Sequence, residues 1–328
     1  MLARVSSGFC SVCGAVLRDG VCPNGHPQRA QRRQRSRRRR RGWWFLLVAF
    51  LLVSAGAYAG LVWYPRLAAT GLTEPASKEF AASLGAYRAT VSAFPPGPTD
   101  PQALVDSCNA VLGTSGDARD RLAGASLDLE EREPSNLPVV SSRPPLQQVR
   151  ELRDLMLDFY PRAQEGAGRL EAVCGYVTQA GAVLPQLDTL GSTIGNPRDP
   201  AEIRAAVAAA TPVAEQLLAD LRALPPPEDL AGLHSSLQAI ARRIRADLDE
   251  LDRTAQTGTA PVVTTLIEDI RSSFDTFRQT FGTAPQEAGA AGLTTDIQEV
   301  EGLAQQIVAG LRTLRDVHGL PGVTVPEG

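Results

Sequence analysis

Twenty-two consecutive residues, Trp43 to Tyr64 (WWFLLVAFLLVSAGAYAGLVWY), carry no charge, and no other feature limits what this chain can become as firmly. As a helix the stretch is about 33 Å long, enough to cross a hydrocarbon core of about 30 Å. Trp43 and Trp44 stand at one end, Trp63 and Tyr64 at the other. Aromatic rings favour both interfaces of a bilayer. Pro65 has no amide hydrogen and Gly71 is a weak helix former, so the helix is expected to stop between them. The pattern predicts a transmembrane helix over 43–64. A cleaved signal peptide is the rival reading, with small-residue pairs at Ala55/Ala57 and Ala57/Ala59. Against it, the apolar run resumes at Leu61, and cleavage would discard everything before the stretch.

Charge is segregated around this stretch. Residues 1–41 hold eleven arginines and one acid, Asp19, whereas the remainder holds 22 basic and 35 acidic residues. The segment 29–42 is an arginine-rich flank (RRQRSRRRRR at its core), and such a flank stays in the cytoplasm. The N-terminus is therefore expected inside and residues 66–328 outside. Arg37, Arg38, Arg39, Arg40 and Arg41 adjoin the span and are expected against anionic lipid headgroups, each basic residue there being worth roughly 1 kcal/mol. The alternative ligand is nucleic acid, since eight arginines within 32–41 can neutralise several phosphates. The run lacks interleaved aromatics for base stacking. Gly56 and Gly60 form a G-x-x-x-G pair, a spacing that lets two spans pack closely, so a homodimer is one expectation.

Residues 1–28 carry a second compact signal. Cys10, Cys13, Cys22 and His26 read C-x2-C-x8-C-x3-H. Three thiolates and an imidazole make a closed tetrahedral zinc site, structural rather than catalytic because no position stays open. Gly14 follows the first pair, and Pro23 and Gly25 lie within the second, where tight turns are needed. A unit this small has no core, so the ion would supply its folding energy. With CSVCG and CPNGH, then a basic stretch, then a span, the first 65 or so residues resemble bacterial single-pass membrane proteins that bear an N-terminal zinc ribbon and an extracytoplasmic domain. Ribbons of that class usually carry C-x2-C in both halves, and the second half here is C-x3-H. The resemblance implies an envelope or signalling role and says nothing of residues 66–328.

Those residues read as all-α. Apolar positions at steps of three and four run Leu230, Leu233, Leu237, Ile240, Ile244, Leu248, Leu251; then, in strict alternation, Val263, Ile267, Ile270, Phe274, Phe277, Phe281; then Leu293, Ile297, Val300, Ala304, Ile307, Leu311, Leu314. Narrow seams of this kind belong to coiled-coil-like helical bundles. Asp199-Pro200-Ala201-Glu202 is a helix start, and Pro225–Pro227, Gly258, Pro261, Gly282, Pro285 and Gly319 are breaks. Four helices are expected between about 199 and 318, with Pro212 kinking or restarting the first. Less regular helices are expected near 75–94, 100–127 and 146–188, the last kinked at Pro161, with a loop over 130–145. The expected organisation is a helical subdomain over 72–190 and a four-helix subdomain over 198–320.

Cys108 and Cys174 lie on apolar seams, Leu104/Cys108/Val111 and Leu170/Cys174/Val177. Outside the cytoplasm such a pair oxidises, and a disulfide is expected. His234 and His318 lie far apart beside apolar seams, and no nucleophile elbow or phosphate loop occurs. The acidic run ADLDELD (246–252) reads as a solvated face and the phenylalanine stripe as core. The expectation is a non-enzymatic envelope protein: the outer helices sense, scaffold or bind a partner, and the ribbon contacts a cytoplasmic protein. The alternative is a membrane-tethered nucleic-acid binder that uses ribbon and arginines together.

Overall fold

The structure, a computed structural model, describes residues 8–10, 12–17, 21–26, 31–132, 144–197, 199–257, 260–320 and 322–326. The side chains of residues 31–43, Val62, Pro65 and Ala260 lie outside that description, and with them the expected headgroup contacts of Arg37 to Arg41. The chain divides into two compact units, 1–65 and 66–328. Among the described residues each is all-α apart from isolated bridge positions in the knuckle, where Phe9 pairs antiparallel with Val16.

In the first unit α1 covers Gln31–Tyr58 and a π-helical turn covers Ala59–Trp63. The helix does not stop at Pro65 and Gly71 as expected. Helix α2 runs Tyr64–Ala93 and takes both residues, and Pro75, into its length. The physical reason lies one turn earlier: the Tyr64 N–H bonds to Ala59 O, five residues back. A turn widened in this way is where a helix absorbs a local defect in its hydrogen-bond ladder. The described side chains of the apolar stretch are exposed, with Trp44, Phe45 and Phe50 at 72%, 73% and 70%. This is the one helix among the described residues long and apolar enough to cross a membrane.

In the second unit α3 (Pro101–Glu131), α4 (Pro144–Gly181), α5 (Leu184–Ile194), α6 (Pro200–Ala223), α7 (Ala231–Thr257), α8 (Ala260–Gly282), α9 (Ala284–Ala290) and α10 (Leu293–Asp316) follow α2. Asp100 caps α3 through the N–H groups of Gln102 and Ala103, and Asp199 caps α6 through those of Ala201 and Glu202. Each satisfies amides that a helix start leaves unpaired, and each precedes a first-turn proline. Pro161 and Pro212 lie inside continuous helices rather than breaking them.

Buried side chains form two clusters, and these do not divide near residue 190. One joins the first half of α3 and the second half of α4 to α5, α6, α7 and α8. The other joins α2, the second half of α3 and the first half of α4 to α10. The last helix of the expected four-helix subdomain thus packs on α4, at Gly310, where an added Cβ would overlap the Leu152 side chain. Ion pairs fasten the same faces: Arg88 with Glu301, Arg162 with Glu299, and Arg169 with both Asp229 and Asp296.

His234 on α7 is a satisfied core residue. Its Nδ1 lies 3.0 Å from the Tyr176 hydroxyl and its Nε2 2.8 Å from Gln238 Nε2. With the Gln238 amide donating to Nε2, Nδ1 carries the proton and donates to Tyr176. Burial lowers the His234 pKa below its ordinary 6.5. The unfolded chain then takes up a proton first as pH falls, so stability present above about pH 6.5 declines below it. Thermal melts between pH 7 and pH 5 should show a falling Tm, and His234→Phe should flatten that slope. An unchanged slope in the variant would remove His234 as its source.

Candidate metal centre

The knuckle is built from two backbone turns. Gly14 N–H bonds to Cys10 O at 2.9 Å, and Gly25 N–H to Cys22 O at 3.0 Å. Both glycines sit at positive φ, 69° and 76°, which side-chain-bearing residues rarely adopt. Cys10 N–H bonds to Ala15 O and Leu17 N–H to Gly8 O, which with the Phe9–Val16 bridge closes the first turn into a small hairpin. The chain between the two turns, LRDG at 17–20, lies largely outside the described residues.

These turns bring Cys10, Cys13, Cys22 and His26 together, with all four ligand atoms within 4.8 Å of one another. Cys13 Sγ and Cys22 Sγ are 3.4 Å apart; His26 Nδ1 is 3.6 Å from Cys22 Sγ and 3.9 Å from Cys10 Sγ. A tetrahedral ion with sulfur bonds of about 2.3 Å and a nitrogen bond of about 2.0 Å needs separations of about 3.6–3.8 Å. The set fits, and it can hold a metal ion. The backbone N–H groups of Val12 and Cys13 point at Cys10 and draw its thiol down to about 6. Burial pushes the Cys22 thiol up. The Asn24 side-chain amide donates to Cys13 Sγ at 3.7 Å. Amide donors on a thiolate favour its charged form and orient it, as outer-shell groups around metals do.

The residue types and spacing named the ligands, but not the surface around them. Phe9, Val12, Val16 and Val21 are 68%, 68%, 51% and 68% exposed. Phe9 and Val16 pair directly across the bridge, and so share one face. Among the described residues of 8–26 only Cys10 and Cys22 are buried. The ligand cage is therefore the interior of the described module, and Phe9, Val12, Val16 and Val21 face outward.

The other expected sites are distributed as follows. Gly56 and Gly60 have open space beside them, and Gly60 lies in the π turn. Cys108 and Cys174 meet where α3 packs on α4, both fully buried. Contact with the Cys108 thiol and burial raise the Cys174 pKa. In this structure the two are unbonded thiols in contact. Asp247, expected in a solvated run, turns inward, and burial raises its pKa. Comparison with family models, with curated proteins and with solved structures found no match to this chain.

Proposed function

We propose that the chain is a non-enzymatic single-pass protein of the cell envelope, with the zinc-loaded knuckle in the cytoplasm and residues 66–328 outside. The observation that carries this reading is the uneven placement of apolar surface. Residues 66–328 turn their seams into two cores, whereas the long apolar helix and the knuckle leave theirs exposed. A contiguous apolar face of that size calls for a bilayer or a partner. The helix suits the bilayer, and the arginines before it set the N-terminus inside. The knuckle's face, Phe9 and Val16 with Val12 and Val21 nearby, suits a cytoplasmic protein. The helical unit suits sensing, scaffolding or binding outside. Open space beside Gly56 and Gly60 is compatible with span pairing into a homodimer.

Zinc is the metal proposed, because three thiolates and one imidazole at tetrahedral spacing match its preferences. Outside the cytoplasm the Cys108 and Cys174 thiols would oxidise to a disulfide. Thiol accounting on the full-length protein from membranes tests these parts together. Three thiols should take a mass tag only after zinc chelation, and two more only after reduction. Free labelling of all five without either treatment would overturn the metal site, the oxidised pair and the topology at once. The contact itself is tested with a photoreactive residue at position 9. Cross-linking to a cytoplasmic protein is expected; cross-linking to DNA or RNA would favour the nucleic-acid reading instead.

A further inference from the structure

We propose that the knuckle is an oxidant-released clasp: hydrogen peroxide oxidises Cys13 and Cys22 to a disulfide and the metal leaves. The inference rests on the zinc reading and assigns a regulation to that same site. It starts from an asymmetry among the four ligands. Cys10 and Cys22 are each 3% exposed, whereas Cys13 is exposed to solvent. Cys13 is thus the thiolate that a small oxidant meets first. Its sulfur lies 3.4 Å from that of Cys22. Closing that gap to a disulfide bond of about 2.05 Å takes a shift of little more than an ångström between two turn residues.

The electrons balance with one peroxide. The Cys13 thiolate attacks a peroxide oxygen; the S–O bond forms, the O–O bond breaks, and the departing hydroxide takes a proton to become water. Cys13 is then a sulfenic acid. The Cys22 thiolate attacks that sulfur; the S–S bond forms, the S–O bond breaks, and a second hydroxide leaves as water after taking a proton. Two thiolates have lost two electrons and the peroxide has gained them. Cys10 and His26 remain, and two ligands do not make a four-coordinate site.

The consequence follows from how the module is built. With Phe9, Val12, Val16 and Val21 outside, the described turns are held by the cage and a few backbone hydrogen bonds, with no apolar core among them. Loss of the ion therefore scatters the apolar face that the proposed cytoplasmic contact uses. Oxidation would switch that contact off, and reduction with zinc would restore it.

The test uses the full-length protein in lipid nanodiscs. Its zinc content is measured first by elemental mass spectrometry. Hydrogen peroxide is then added, release is followed with a chromogenic chelator, and disulfides are mapped by non-reducing peptide mass spectrometry. The expected result is one zinc lost per Cys13–Cys22 bond formed, with both reversed by dithiothreitol and zinc. Zinc retained while peroxide is consumed, or release accompanied only by bonds or oxides at Cys10, would overturn the clasp and leave the metal site standing. Protein that carries no zinc before peroxide is added would overturn the metal reading itself, and the clasp with it.

Discussion

Cys22→Ser should strip the metal from the knuckle while leaving the helical unit folded. Cys22 sits between two other ligands, with its sulfur 3.4 Å from that of Cys13 and 3.6 Å from His26 Nδ1. Serine offers a harder, weakly acidic oxygen that zinc binds poorly beside thiolates. Structural zinc supplies on the order of 10–16 kcal/mol to modules of this size at neutral pH. The described knuckle has only two buried side chains, both of them ligands, so no apolar core makes up the loss. Zinc content should fall from one per chain to none, and limited proteolysis should begin to cut before residue 31. The melting temperature of the helical unit should stay where it was, since 66–328 is compact in itself. A variant that keeps its zinc would show that Cys22 is not a ligand.

Phe159→Ala should produce the larger loss in the helical unit, about 3–5 kcal/mol for a fully buried aromatic. Phe159 is 0% exposed and meets Phe80 edge to face at a centroid distance of 5.1 Å. It stacks in the same way on Tyr160, at 5.6 Å. Its removal opens the cluster that ties α2 to α4. Helices α3 and α4 run through both clusters, so neither core can melt without disturbing the helices that build the other. A single transition, lowered by roughly 10 °C, is therefore expected by calorimetry. Two separated transitions in the variant would show that the clusters unfold independently.

Much of this architecture is written in local pattern. Along α7, α8 and α10 the stepping of Leu233 to Leu251, Ile267 to Phe281 and Val300 to Leu314 matches the buried stripe except at Ile240, which is partly buried while Ala241 takes the seam, because helical period decides which side chains share a face. Asp199 and its following proline read correctly because a cap is satisfied within three residues. Pro65 was the misleading signal: it suggested an end and lies inside a helix, as do Pro161 and Pro212, where a kink or restart was expected. One lost backbone bond costs a few kcal/mol, which burial along a long helix can outweigh. The partner of α10 was also illegible. A seam states that a helix packs, not on what, and α4 rather than α7 or α8 receives it. In the knuckle the ligands were legible because their spacing is the signal. The outward face of Phe9 and Val16 was not, because it depends on the bridge between them.

The end of the chain adds one more consequence. After α10, Gly319 and Gly322 turn at φ 62° and 91°, and the segment beyond lies along α2. Leu320 and Val323 are buried there, and Thr324 N–H donates to Ser77 Oγ at 3.0 Å. Gly322 sits so near Glu74 that a Cβ would come within 2.9 Å of its carboxyl carbon. The segment after α10 thereby stitches the last helix of the unit back to α2, so that neither peels away without the other. A truncation before Leu320 would uncover α2 around Glu74 and Ser77, leaving Arg88 with Glu301 and the shared core to hold α2 to α10.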